Sequence, residues 1–243
     1  MNRSGYGNTP AASREHNHHF TSVPVRAPAN YPATSVCDDD EEVLKRALQA
    51  LRRSPMQYYR DNVIVREGEP ADFMFLVVSG TVRTCRMFNT GSRSISAFYL
   101  PGDLFGWANL NYSFSVEAAT DAVVLFFKRS TLQSITSRES RVAGFLQTAT
   151  INELRRTQEH ALLMSRGAKY RVAAFLTDLW ARLGKPRYLG LPMSHQDIAD
   201  HLGITIETLS RTITSMERAG IIARGPHRRL LLRNRPALLQ MMN

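Results

Sequence analysis

Apolar residues along this chain follow several different spacings, and each change of spacing marks a change of element. Residues 1–40 are polar and broken by Pro10, Pro24, Pro28 and Pro32. They keep no period of 2 or 3.6 and read as a disordered, mobile tail. From Asp38 to Arg53, acidic residues in the first turn and Val43, Leu44, Ala47, Leu48 and Leu51 at helical spacing predict a short helix. Residues 61–128 switch to short runs rich in β-formers: Val63–Val65, Phe73–Val78, Thr81–Phe88, Ser94–Tyr99, Val116–Ala119 and Ala122–Phe127. Glu67-Gly68-Glu69-Pro70, Ser79-Gly80, Asn89-Thr90-Gly91-Ser92 and Pro101-Gly102-Asp103 supply the turns. Many short strands punctuated by glycine predict a barrel or roll.

Residues 129–165 return to a helical period, with no proline between Thr131 and Arg166. Val142, Phe145, Leu146 and Ala149 form one apolar stripe, extended by Leu154, Ala161, Leu162 and Met164. A helix of about 25 residues measures roughly 38 Å, more than a small domain needs. Two uses fit it: a seam between two copies of the chain, or a cover for the chain's own barrel. Arg155, Arg156 and Glu159 interrupt the heptad that the first use prefers.

The last stretch, residues 166–243, has a finer order. Tyr170 to Leu183 is amphipathic, with Val172, Phe175, Leu176, Leu179 and Leu183 on one face, and Gly184-Lys185-Pro186 ends it. Ser194 is an N-cap with Asp197 three residues on, in the manner of a capping box. Ile198, Ala199 and Leu202 then face inward, and Gly203 stops the helix. Thr205 caps a second helix, Ile206 to Ala219, with Leu209, Ile213 and Met216 inward. Two short helices joined through a glycine, with small Ala199 permitting close approach, predict a helix-turn-helix. Ile221–Arg224 and Arg229–Leu232, placed around Gly225-Pro226, predict a hairpin wing.

Composition sharpens this picture. The 243 residues hold 31 Lys+Arg against 21 Asp+Glu, a formal charge of +10. Thirteen basic and five acidic residues lie in 166–243, so most of the excess sits in one third of the chain. That asymmetry points to a module that meets phosphates. Cys37 and Cys85 are the only cysteines, too few for a disulfide framework or a four-cysteine cluster. No apolar run is long enough to cross a membrane, and no apolar core follows Arg3 as a secretory signal requires. A soluble, reduced, cytoplasmic protein is expected. His16, His18 and His19 lack a second set of ligands, so no metal site is expected. Gly-rich phosphate loops, metal motifs and nucleophile elbows do not occur, so an enzyme is not expected.

Over residues 45–243 the order of parts resembles the Crp/Fnr superfamily of transcription regulators, and its FixK-like branch most. The residues that carry this run from Asp197 to Arg211, with Glu207, Ser210 and Arg211 as the Glu-x-x-Ser-Arg pattern. The resemblance implies an α+β chain: an N-terminal β-roll (a cyclic-nucleotide-binding-like jelly roll), a long dimerisation helix and a C-terminal winged helix-turn-helix. The corresponding boundaries are 41–130, 131–165 and 166–243, after the tail 1–40. It also implies a homodimer on double-stranded DNA, a TTGAT-type palindrome, a contact with RNA polymerase, and activation in low-oxygen or nitrogen-metabolism control; the alternative is a repressor, or a ligand- or redox-gated regulator whose roll binds a small molecule.

The chemistry of the three residues agrees. At i, i+3 and i+4 they share a helix face. Arg211 can bond guanine O6 and N7, Glu207 can accept from cytosine N4, and Ser210 can bond a base edge or touch a thymine methyl. An intrahelical Glu207–Arg211 pair is the competing use, worth about 0.2–0.5 kcal/mol. Phosphate contacts are expected from Ser194 and Thr205 at the helix starts, and from Arg218, His227 and Arg228. Val142, Phe145, Leu146 and Ala149 are the expected dimer interface. Where cyclic-nucleotide-binding members carry a ribose-binding glutamate, this chain has Trp107; Phe114-Ser115 offers no arginine for the phosphate. No cofactor is expected.

Overall fold

The structure, a computed structural model, describes residues 55–226 and 229–242. The tail, the helix read over 38–53, Cys37, His227 and Arg228 lie outside the described residues. Eight strands form the roll: β1 (Met56–Tyr58), β2 (Val63–Val65), β3 (Phe73–Ser79), β4 (Val82–Met87), β5 (Arg93–Tyr99), β6 (Leu104–Phe105), β7 (Ser115–Ala118) and β8 (Ala122–Lys128). They pair antiparallel in two four-stranded sheets, ordered β1-β8-β3-β6 and β2-β7-β4-β5. Strand alternation sends Phe75, Val77, Val82, Tyr99, Phe105, Val116 and Val124 between the sheets, where Phe75 stacks on Phe105 at 5.0 Å. The β3–β4 turn depends on Gly80. Its φ is +79°, and a Cβ there would lie 2.1 Å from the Asp121 carbonyl oxygen.

The strands β3 and β8 are apolar on both faces. Met74, Leu76, Val78, Leu125 and Phe127 point outward and need a cover. It comes from α1 (Arg129–Thr136) through Leu132, and from the first half of α2 (Ser140–Met164). Here the long helical period divides in two at residues 137–139. Of the stripe expected at a dimer seam, Val142 is 4% exposed, while Phe145, Leu146 and Ala149 pack against the outer face of the roll and stay half-buried. A 3.6 period reports that a face is buried, not against what. Along the second half of α2, Ile151 and Leu154 are each 57% exposed and Leu162 71%. The opposite side of that half meets β5 through polar groups. The Tyr99 hydroxyl donates to Glu153 at 2.7 Å, and Arg156 spans Asp103 (2.9 Å) and Glu153 (2.8 Å).

The remaining elements are α3 (Ala168–Arg182), α4 (His195–Leu202), α5 (Ile206–Arg218), the hairpin β9 (Ile222–Arg224) and β10 (Leu230–Leu232), and α6 (Arg235–Gln240). The predicted wing forms, with Leu231 opposite Ala223. Leu189 adds a single bridge to Leu230 rather than a full strand. Three short elements escape the periodicity: β1, β6 and α6. Asn234, which caps α6 by accepting from the Ala237 N–H at 3.0 Å, and Pro236 in its first turn were the available signal. The core of this module holds Val172, Leu176, Ile198, Leu202, Leu209 and Met216, and it continues into Ile95, Phe98 and Leu100 of the roll.

Candidate nucleic-acid interface

The helix-turn-helix is built by local chemistry. The Ser194 hydroxyl accepts from the Asp197 N–H at 3.0 Å while the Asp197 carboxylate accepts from the Ser194 N–H at 3.3 Å, which starts α4. Gly203 ends it in the left-handed region, φ +59° and ψ +40°, a conformation that is costly for a residue with a Cβ. Thr205 starts α5, its hydroxyl accepting from the Thr208 N–H at 3.2 Å. The turn is pinned from outside by Arg171. That guanidinium donates to the carbonyls of Arg166 (2.7 Å) and Leu202 (2.7 Å), tying the α2–α3 junction to the end of α4.

Leu209, Thr212, Ile213 and Met216 bury one side of α5, which leaves Glu207, Ser210 and Arg211 exposed together on the other. The Glu207 carboxyl is held below its ordinary range by backbone N–H at the helix start, by the Thr205 hydroxyl and by the charge of Arg211. It is therefore an acceptor at any working pH. Thr205 is exposed and Ser194 half-buried at the two helix starts; each hydroxyl accepts its capping bond, and that of Thr205 also serves the Glu207 carboxylate. Arg218 is exposed in the last turn of α5, and Arg224 on β9 pairs with Glu217 at 2.8 Å.

The opposite flank of α4 carries what the sequence reading missed. Asp197, Asp200 and His201 face the roll. Arg83 of β4 gives Nη1 to both Asp197 oxygens (3.1 Å), and gives Nη2 to Glu117 (2.7 Å) and Asp61 (2.9 Å). Arg93 of β5 reaches Asp197 (2.6 Å) and Asp200 (2.8 Å). The side chains of Arg83 and Asp197 are 5% and 2% exposed. Ser194 and the two guanidiniums hold the Asp197 carboxyl below its usual range against the cost of burial. The His201 ring stacks on His160 at 4.4 Å and meets Phe98 edge-on at 5.1 Å, with Nδ1 3.0 Å from the Ile95 carbonyl.

Burial, then the neighbouring His160, push the His201 imidazole down to about 3; burial and Arg171 lower His160 as well. A histidine with a lower pKa folded than unfolded stabilises the fold fully above the unfolded value, about 6.5, and loses that contribution as pH falls. Stability is thus expected to drop between pH 6.5 and 4, by up to about 1.4 kcal/mol per pH unit for His201, with His160 adding in the same direction. Asp197 adds to the fall only from about pH 5 downward. Urea unfolding across that window checks this, with His201→Gln flattening the slope; a wild-type midpoint that does not move over the window refutes it.

Between the roll, α2 and α3 lies a cavity of about 860 Å3, lined among others by Tyr99, Trp107, Tyr112, Phe114 and Arg156. Arg156 is engaged by Asp103 and Glu153, as above, so its charge is already met. Cys85 is buried at the β4–β5 face, its thiol pushed up to about 12 by burial, with Glu117 adding to the shift. It is therefore a poor nucleophile.

A two-sheet roll, a long helix laid across it and a basic winged helix-turn-helix with a free polar face define a class: two-domain regulators that read DNA through a C-terminal module. Residues 55–139 match the cyclic nucleotide-binding domain and residues 170–241 the Crp-like helix-turn-helix domain. The chain is 40% identical over 209 residues to the nitrogen fixation regulation protein FixK of Azorhizobium caulinodans, covering 83% of this chain and 84% of that one. It is 38% identical over 190 residues to the transcriptional activatory protein AadR of Rhodopseudomonas palustris, covering 75% and 77%. The solved structure of FixK2 from Bradyrhizobium japonicum superposes with a TM-score of 0.74 at 38% identity, over 78% of this chain and 97% of that one. The chain belongs to the Crp/Fnr superfamily, in its FixK-like branch. No helix among the described residues is long and apolar enough to cross a membrane.

Proposed function

We propose that this chain is a homodimeric, cytoplasmic activator of transcription in low-oxygen or nitrogen-fixation control. It reads a TTGAT-type palindrome with Glu207, Ser210 and Arg211 and delivers RNA polymerase to the promoter. One observation carries this reading: an acid, a hydroxyl and a guanidinium stand exposed on one face of a helix whose other face is sealed into the module. In so basic a module, a carboxylate in that place is useful where it meets a donor on a base edge. Ser194, Thr205 and Arg218 contact phosphates, as do His227 and Arg228. The half-buried Phe145, Leu146 and Ala149 of α2, continued by the exposed Ile151, Leu154 and Leu162, form the seam with the second copy. The chain is a regulator and not an enzyme.

The test is anisotropy of the purified protein, without additives, on a TTGAT palindrome and on a scrambled duplex of equal length. Selective binding at two chains per duplex is expected. Equal affinity for both duplexes refutes the reading. The cavity favours a second reading, a regulator gated by a small molecule in the roll; selectivity that appears only on adding cell extract would be its mark.

A further inference from the structure

A helix-turn-helix ordinarily leaves the outer side of its first helix to solvent or to phosphates. In this chain that side is a closed ionic and aromatic contact with the roll. Asp197, Asp200 and His201 fall at i, i+3 and i+4 on α4, and each finds its partner on β4 or β5: Arg83, Arg93 and the Ile95 carbonyl. The contact is of high stakes physically. Buried guanidinium–carboxylate pairs are short-range and directional, so a small rotation of α4 breaks several bonds at once.

The covalent route between the two domains is slight by comparison. It runs from the end of α2 through Ser165, Arg166 and Gly167 into α3, and a Cβ on Gly167 would meet nothing within 4 Å. That junction leaves the rotation of the module about α2 to be set by non-covalent contacts. Because α4 and α5 are joined through Gly203 and packed together, whatever holds α4 on the roll also holds α5. The contact leaves the reading face free: Glu207, Ser210 and Arg211 stay exposed while Asp197 is sealed. It therefore presents the module and does not mask it.

We propose that Arg83 and Arg93 of the roll are positioning residues for DNA recognition, fixing the recognition helix in the frame of the roll through Asp197 and Asp200 without any bound effector. This rests on the dimeric, palindrome-reading function proposed above. If two rolls are fixed by the α2 seam, then a clamp between each roll and its α4 sets the distance between the two α5 helices. Arg83 and Arg93 touch no base, yet they determine which spacing of half-sites fits.

The test reads spacing, not affinity alone. Binding is measured on the palindrome of native spacing and on one lengthened by four base pairs, for the wild type, Arg93→Glu, and the charge swap Arg93→Glu with Asp200→Arg. Loss of folded protein lowers apparent affinity for both duplexes equally and leaves their ratio unchanged, so the ratio reports position. The wild type is expected to prefer native spacing. Arg93→Glu narrows that preference by about fivefold or more while still rejecting scrambled half-sites, and the swap reopens it. Arg93→Ala narrows the ratio in the same direction and stands in for the reversed charge should that variant not fold. An Arg93 variant with the wild-type ratio overturns the proposal. So does a swap that melts like the wild type and leaves the ratio narrow, or a variant that binds the native palindrome more tightly, since the contact would then be inhibitory. A wild type that ignores the palindrome altogether refutes the function proposed above and is distinguishable from all three.

Discussion

Replacing Arg211 by alanine is expected to cost about 1–3 kcal/mol at each half-site and to relax discrimination at one base pair of it. Arg211 sits one turn beyond Glu207 on the exposed face of α5, and its neighbour on the sealed face, Leu209, is 1% exposed. The loss is therefore confined to the duplex: the core of α5 does not change, so the variant should melt like the wild type. The two subunits of a dimer each lose their contact, and the total effect on a palindrome is roughly doubled where the half-sites are independent. Arg218→Ala supplies the contrast. A phosphate contact carries no sequence information, so its loss weakens binding on all duplexes alike and lowers the salt dependence by about one charge per subunit. Competition with duplexes substituted at single positions separates the two. An Arg211→Ala protein that ranks the substituted sites as the wild type does would remove this residue from base reading.

Glu207→Gln probes the same face from the acid side. Its carboxyl is held ionised by the helix start and the Thr205 hydroxyl, so the amide that replaces it can donate as well as accept. Relaxed choice between cytosine and its competitors is expected from the added donor.

Legibility followed the range of the interaction. Ser194 with Asp197, Gly203 and Thr205 act within four residues, and the helix-turn-helix they build could be read from their order alone. The same holds for the face formed by Glu207, Ser210 and Arg211, since leucine, isoleucine and methionine at helical spacing declare the other face buried. Strand positions were legible for the same reason, but the order β1-β8-β3-β6 is a long-range choice that no local period encodes. The stripe of Val142, Phe145, Leu146 and Ala149 was visible as apolar, while its partner was decided by the outward Met74, Leu76 and Phe127 of strands some seventy residues and twenty residues away. The clamp was least legible. Arg83 and Asp197 are separated by 114 positions, and the acid already had a local explanation as the capping-box partner of Ser194, which concealed its second partner.

Arg83→Met is expected to destabilise the folded chain by about 3–5 kcal/mol, the range for removing one partner from a buried ionic group. The methionine keeps much of the apolar stem, so the change removes mainly the charge. It leaves the Asp197 carboxylate, 2% exposed, with Arg93 as its remaining guanidinium, and leaves Glu117 without the bonds at 3.0 and 2.7 Å that it now accepts. Arg86 on the same strand is the control. Its pair with Glu67 is about 40% exposed on both sides, and solvent screening limits such a pair to about 0–1 kcal/mol. The penalty should also depend on pH with a definite sign. The Asp197 carboxyl lies below its ordinary range in the wild type, so it stabilises the fold above the unfolded value, near 3.9, and ceases to as pH falls through the folded one. In Arg83→Met part of that shift is gone. The gap between variant and wild type should therefore be full at neutral pH and narrow below about pH 4, as the Asp197 carboxylate takes up its proton. Urea unfolding at pH 7 and at the lowest pH where both proteins fold measures the two gaps. A neutral-pH gap as small as that of Arg86→Met would mean that the contact between α4 and the roll is held by Phe98, Phe175 and the stacked histidines, with the charges as bystanders.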